Sequence, residues 1–343
     1  MSIEAGWSES RRVAEREPDW VGLWFEMIRE RGGNDLFTIA RHNVRTGETT
    51  YSDHSHIAVD GIGGLIAAVE RDGYRFDPPT LGGAAPGWTV LLRTLGRFLR
   101  ELRAPVLPWR LTGSDRRPAP HDFSFNVYSE AETRSLSVFA RAHHYSLATY
   151  LLSRVHAVLG PRYLREDVPA RWLFPVSLRG PVRRADPRSN HSSGIPLVCR
   201  FVTTPEKLRA QMRQGLKDNL HWWMWRALHI GRLIGVRGMR WLSAREQHRH
   251  AWMGTFTFMG EWPRRGGAPL SAPDEVLVGI PPGSPGYPIG VGSVVWNGRL
   301  CIALKLHPMI EADPAGAAAR LVELRAAIER DLNDAPTVRE VCG

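Results

Sequence analysis

Residues 51–64, YSDHSHIAVDGIGG, place Asp53, His54, His56 and Asp60 within eight positions, directly ahead of Gly61 and the pair Gly63-Gly64. Side chains alternate along a strand, so His54 and His56 fall on the same side and are able to share a metal ion such as zinc. An imidazole also titrates near neutral pH, which suits a general base that takes a proton from an incoming hydroxyl or amine. The same residues fit a strand, turn and helix in which neither histidine does chemistry.

The elements that must hold these side chains can be read from the pattern. DWVGLWFEMIRER (19–31) has helical apolar spacing and stops at Gly32-Gly33. Segments 35–44 and 49–59 read as two strands of a hairpin whose second arm carries the histidines, and 61–73 reads as a helix starting behind them. A helical pattern at 88–103 lies between stretches rich in proline, glycine and arginine, the second of which (104–121) reads as a linker. Beyond it, Ser129 and Glu132 have the spacing of a capping box, and Ser146 stands where it would cap a second helix. Strands are expected at 171–178, 194–203 and 254–260, and a hairpin over 291–306 turning at Asn297-Gly298. A last helix is expected from Asp313-Pro314 to about 332, with the proline in its first turn.

Composition bounds the answer. The chain has 343 residues, 43% hydrophobic and 23% charged, values of a soluble globular protein. No run reaches the roughly 18 apolar residues that span a bilayer, and the polar first dozen residues lack a signal core, so a cytoplasmic location is expected. Cys199, Cys301 and Cys342 lie far apart without disulfide or metal spacing; the first two read as core and the third as a tail thiol. A net charge of +10, mostly arginine, attracts anions: nucleic acid, anionic lipid, coenzyme A phosphates or an acidic carrier protein.

The metal reading resembles metal-dependent amidohydrolases, but His221, His229, His248 and His250 sit in or beside a helical arginine-rich region, not at later strand ends. Metallo-β-lactamase-type sites put an aspartate two residues after the H-x-H, whereas Asp60 comes four after His56. In contrast, His56-Ile-Ala-Val-Asp60-Gly61 resembles the H-x-x-x-D-G signature of the chloramphenicol-acetyltransferase-like superfamily. That group includes peptide-synthetase condensation domains, plant BAHD acyltransferases, and bacterial wax-ester and polyketide-associated acyltransferases. The resemblance extends to FPVSLRGPVRRADPRSNHSSGIPLVCRF (174–201) and, loosely, to TFTFMG (255–260).

The resemblance implies a two-lobed α/β chloramphenicol-acetyltransferase-like fold, with lobes at 1–105 and 126–343 joined by a crossover at 106–125. It implies an acyltransferase in which His56 is the base. Asp60 would hold the loop through an arginine, matched by Arg179; Gly61 and Gly63 would supply close approach and positive φ; Asn190 and Thr257 would support the substrate. The donor would be acyl-CoA or a phosphopantetheinyl carrier protein, with no other cofactor and no metal, and the acceptor a small molecule or lipid. Ser55 stands where the family has its first histidine. Only 55 residues precede His56, which implies a shortened N-terminal lobe, completed by a partner chain or a second copy, or left more open.

A non-catalytic binding or scaffold subunit, a metal-dependent hydrolase using His54 and His56, and a basic nucleic-acid binder are the rival readings, the last supported by charge alone. His143-His144 lacks the following Asp-Gly and receives no role. In HWWMWRALHIGRLIGVRGMRWL (221–242), tryptophans mix with arginines in a helical run. That mixture fits a core helix with snorkelling arginines, a lid over an acyl chain, or a peripheral membrane contact.

Overall fold

The computed structural model describes residues 19–31, 33–78, 80–103, 105–111, 121–263 and 267–334. The polar N-terminal stretch, Cys342 and residues 112–120 of the expected linker lie outside the described residues.

Asp19 opens helix α1 (Trp20–Glu30), accepting a hydrogen bond from the Val21 N–H. Strands β1 (Leu36–Asn43) and β2 (Thr49–Ser55) form the expected hairpin, with Phe37 opposite His54 and Leu36 opposite Ser55. Helix α2 (Gly61–Arg71) starts right behind the histidine turn. The pattern at 88–103 yields two short helices, α3 (Trp88–Leu92) and α4 (Leu95–Leu102). Trp223 accounts for the break: its indole N–H reaches the Leu91 carbonyl (3.1 Å) and the Thr94 hydroxyl (3.0 Å), groups at the junction.

The expected linker is anchored where it is described. Leu107 and Trp109 are buried, and the Trp109 indole donates to the His250 carbonyl at 3.0 Å. Its prolines and arginines suggested a tether, but two large apolar side chains between them bind this part of it to the core.

The chain continues through β3 (Ser124–Val127), α5 (Glu130–Ala142), α6 (Leu147–Tyr163), β4 (Ala170–Ser177), β5 (Ser192–Cys199), α7 (Pro205–Lys217), α8 (Leu220–Leu228) and α9 (Gly231–His248). It ends in β6 (Trp252–Trp262), β7 (Glu275–Ile280), β8 (Ile289–Trp296), β9 (Arg299–Leu306) and α10 (Gly316–Asp334). Ser129 and Glu132 form the capping box in both directions. Asn297 and Gly298 both take positive φ, 46° and 73°, as a type I′ turn requires. The last helix begins at Gly316, so Pro314 lies in the turn before it and not in its first turn.

Ten helices surround two sheets among the described residues. The smaller has the order β2-β1-β7, and the larger β3-β9-β8-β6-β4-β5. Strand β7, far along the chain, pairs antiparallel with β1, so the sheet that carries the histidine motif is completed by a segment from 126–343. Strand β8 is buried on both faces. Ile289, Val291 and Val295 pack in the helix-covered core, while Val294 and Trp296 face the core shared with the small sheet and α2. That alternation welds the two sheets together. Cys199 and Cys301 are buried core residues, as expected.

Candidate active site

The motif lies where the small sheet meets the start of β5. Strand β2 ends at Ser55, residues 56–58 turn, Val59 makes a single antiparallel bridge to Ser189, and Asp60 caps α2 by accepting from the Gly63 N–H at 2.8 Å.

Asp60 has no exposed surface and Arg179 almost none. Arg179 Nη1 and Nη2 donate to the two carboxylate oxygens at 2.8 and 2.7 Å. The other guanidinium hydrogens go to the carbonyls of Pro187 and Ser189 and to the Ser177 hydroxyl. Asp60 also accepts from the His191 N–H (2.9 Å) and the Ser192 hydroxyl (3.2 Å). Burying two charges costs several kcal/mol per ion unless every polar atom finds a partner; here the five N–H groups and both oxygens do. Asp60 therefore commits its carboxylate to the loop and to Arg179, tying the turn after His56 to the segment leading into β5.

Asn190 extends the lock. Its side chain donates to the His56 carbonyl at 3.0 Å and accepts from the Ser192 N–H at 3.0 Å. Ser55 turns its hydroxyl to the Asp35 carboxylate and accepts from the Ile57 N–H, while the Asp35 carbonyl accepts from the His56 N–H at 2.9 Å. Ser55, at the end of β2, thus ties the loop to Asp35.

The His56 ring lies between two aromatic rings, Phe25 at 4.7 Å and Phe37 at 4.6 Å between centroids. Its Nδ1 is sealed from solvent and has no hydrogen-bond partner. Burial lowers its pKa to about 4; the Asp60 and Asp35 carboxylates act in the opposite direction, as does the Val59 backbone without meeting hydrogen-bond geometry. The imidazole is neutral at physiological pH, the state a general base needs.

His56 lines a cavity of about 210 Å³ whose walls are mostly apolar. Trp24, Phe25 and Ile28 of α1 form one side, Met224 and Leu228 of α8 another, and Pro281, Pro282 and Tyr287 a third. A second cavity of about 300 Å³ lies beyond Gly61, Pro175, Ser192, Thr257 and Met259, which line both. The two cavities are neighbours across these five residues, and His56 lines the first of them.

Thr257 lines both cavities. Thr255, two residues earlier on the same strand face, lines the His56 cavity as well, and its hydroxyl is buried without a partner. Sequence reading passed over it, although the Thr-x-Thr alternation was there to be used. The glycine expectation needs correcting. Neither Gly61 nor Gly63 has a positive φ. Gly63 is required for close approach: a Cβ there would stand 1.9 Å from the Arg188 carbonyl oxygen. Gly61 has ordinary space beside Met259 and serves as cavity wall.

His54 is stacked on the Phe37 ring (5.4 Å), the ring that also contacts His56, and is hydrogen-bonded to Ser52. Among the described residues no group of three His, Cys, Asp or Glu side chains is arranged to hold a metal ion. Asp53 is engaged by Thr38 and His121. The tryptophan-arginine segment divides in two: α8 buries Trp222, Trp223 and Trp225, whereas α9 exposes Leu233 and Trp241. Among the described residues no helix is long and apolar enough to cross a membrane.

No protein-family model and no curated protein matches the sequence. Solved structures do resemble it. The TRI3 trichothecene 15-O-acetyltransferase from Fusarium sporotrichioides is similar over 91% of this chain and 75% of its own, with a TM-score of 0.55 at 12% identity. Polyketide synthase associated protein 5 from Mycobacterium tuberculosis is similar over 82% and 73%, with a TM-score of 0.50 at 16% identity. The EpoB cyclization-docking bidomain of a nonribosomal peptide synthetase from Sorangium cellulosum is similar over 85% and 61%, with a TM-score of 0.50 at 12% identity. At such identities the likeness is one of fold: the chain has the chloramphenicol-acetyltransferase-like α/β fold.

Proposed function

We propose that the protein is an acyltransferase that moves an acyl group from a thioester, on coenzyme A or a phosphopantetheinyl carrier protein, to a hydroxyl or amine. The observation that carries this reading is His56: a neutral imidazole in the wall of an apolar cavity, in a loop locked from behind by Asp60 and Arg179. His56 takes the proton of the acceptor as its oxygen or nitrogen attacks the acyl carbonyl. The tetrahedral intermediate collapses, the C–S bond breaks, and His56 returns the proton to the leaving thiolate. Thr255 and Thr257 are the candidate donors to the developing oxyanion. The sharing of a fold with an O-acetyltransferase supports the reaction class.

Two neighbouring cavities with shared lining residues suit a donor and an acceptor that enter separately. The apolar walls of the His56 cavity favour an aliphatic or aromatic group over a polar one. The positive net charge favours coenzyme A phosphates or an acidic carrier surface.

The test is single-turnover transfer from acyl-CoA and acyl-carrier thioesters to panels of alcohols and amines, with wild type beside His56→Ala. Thioester-dependent product from wild type and a loss of about 10²–10⁴-fold in the variant are expected. Equal turnover by the two proteins removes His56 as the base.

A further inference from the structure

We infer that helix α9 is a docking surface for anionic lipid bilayers, an inference independent of the reaction proposed above. Between 230 and 245 the chain reads IGRLIGVRGMRWLSAR, with four arginines and no carboxylate. Leu233 is 86% exposed and Trp241 60%, and Ile230, Ile234 and Val236 are exposed beside them. Leaving a leucine and a tryptophan this open in water forgoes burial that the rest of the fold takes wherever it can.

The shape of the segment narrows the choice of partner. Gly235 leaves the helical region (φ 66°, ψ −179°), and the kink sets Leu233, Ile234 and Val236 around a blunt bend. A protein groove takes a straight apolar stripe from a helix. A bend that presents aliphatic side chains in its curve suits a planar surface that they enter to a shallow depth. Arg237 is exposed on the bend, and the Arg245 guanidinium lies 5.6 Å over the Trp241 ring, an aromatic-cation pair of the kind found at the headgroup level of membranes. Arg240 is paired with Glu30 of α1 at 3.1 Å, so the attraction to anionic headgroups rests chiefly on Arg237 and Arg245. Nucleic acid would call for several open aromatic faces; here Trp241, with Arg245 over one face of its ring, stands among aliphatic side chains.

The position is coherent with entry of an apolar ligand. The buried side of α9 contributes Met239, which packs with Trp20 and Met27 of α1. Helix α1 also supplies Trp24, Phe25 and Ile28 to the wall of the His56 cavity, and α8, which leads into α9, supplies Met224 and Leu228. A bilayer resting on α9 therefore borders the apolar wall of that cavity.

The experiment is co-sedimentation of the full chain with vesicles of phosphatidylcholine alone and of phosphatidylcholine mixed with phosphatidylglycerol, at low and raised salt. Binding to the mixed vesicles, weaker binding to the neutral ones and a fall with salt are expected. Leu233→Ser with Trp241→Ser should lower partitioning at least about tenfold. Arg237→Gln should lower binding to mixed vesicles about fivefold while leaving neutral vesicles unaffected. These side chains are exposed, so thermal unfolding should be unchanged and serves as the folding control. No binding to either composition, equal binding to both, or binding retained by the Leu233/Trp241 variant would each overturn the inference.

Discussion

Arg179 grips Asp60 with two parallel hydrogen bonds across 119 residues of sequence, and neither side chain is open to water. The pair joins the loop that carries His56 to the segment leading into β5. Removing one partner leaves a charge buried alone, so Asp60→Asn or Arg179→Met should each cost about 3–5 kcal/mol in urea unfolding. The double variant Asp60→Asn/Arg179→Met should cost clearly less than the sum of the two. Strict additivity would mean that the two charges do not depend on each other.

The acid limb of the reaction should lie unusually low. Burial lowers the His56 pKa to about 4, so the ring stays unprotonated well below pH 6.5. The pH dependence of kcat/KM should therefore hold level from neutrality to about pH 5 and fall toward pH 4. A limb centred near 6.5 would mean that the working base is solvated, or is another group.

Thr255 offers a test that separates chemistry from packing. Its hydroxyl is buried without a partner, so Thr255→Val, nearly the same in shape, should leave stability unchanged or raise it slightly. If that hydroxyl supports the oxyanion, turnover should nevertheless fall about 10²–10³-fold. Full activity in Thr255→Val, with loss in Thr257→Val, would move the role to Thr257.

Acid stability should depend on a histidine remote from the cavity. The Trp172 indole N–H donates to His156 Nδ1 at 3.1 Å, which fixes the ring proton on Nε2. Burial lowers the His156 pKa to about 4. Between pH 6.5 and 4 the unfolded chain takes up a proton that the folded chain refuses, so stability present above 6.5 declines toward 4. His156→Gln should be less stable at pH 7 and show a shallower loss on acidification, measured as the unfolding midpoint against pH.

How far the sequence alone reaches can be judged at particular residues. The turn, cap and helix start at His56–Gly61 were legible because they are compressed into six positions, where spacing alone carries geometry. Arg179 and Asn190 were found through their order along the chain. Thr255 was not, because a hydroxyl without a partner is defined only by what surrounds it in three dimensions. Strands β3 and β7 escaped for a related reason. Four residues of β3 carry too little alternation to register, and β7 is a strand by virtue of pairing with β1, a partner far off in sequence. The positive φ expected of the motif glycines failed because Gly63 is required by the nearby Arg188 carbonyl, not by the turn.

The bridge between Val59 and Ser189, with the Asn190 bond to the His56 carbonyl, has a mechanical consequence. It sews the small sheet to the edge of the large one at the place where the imidazole stands. A shift of one sheet against the other would have to break these ties first, so the two sheets are least free to slide where His56 stands. Phe25 of α1, stacked on the ring, belongs to the same clamp. The imidazole thus sits at the stitched end of the interface between the sheets.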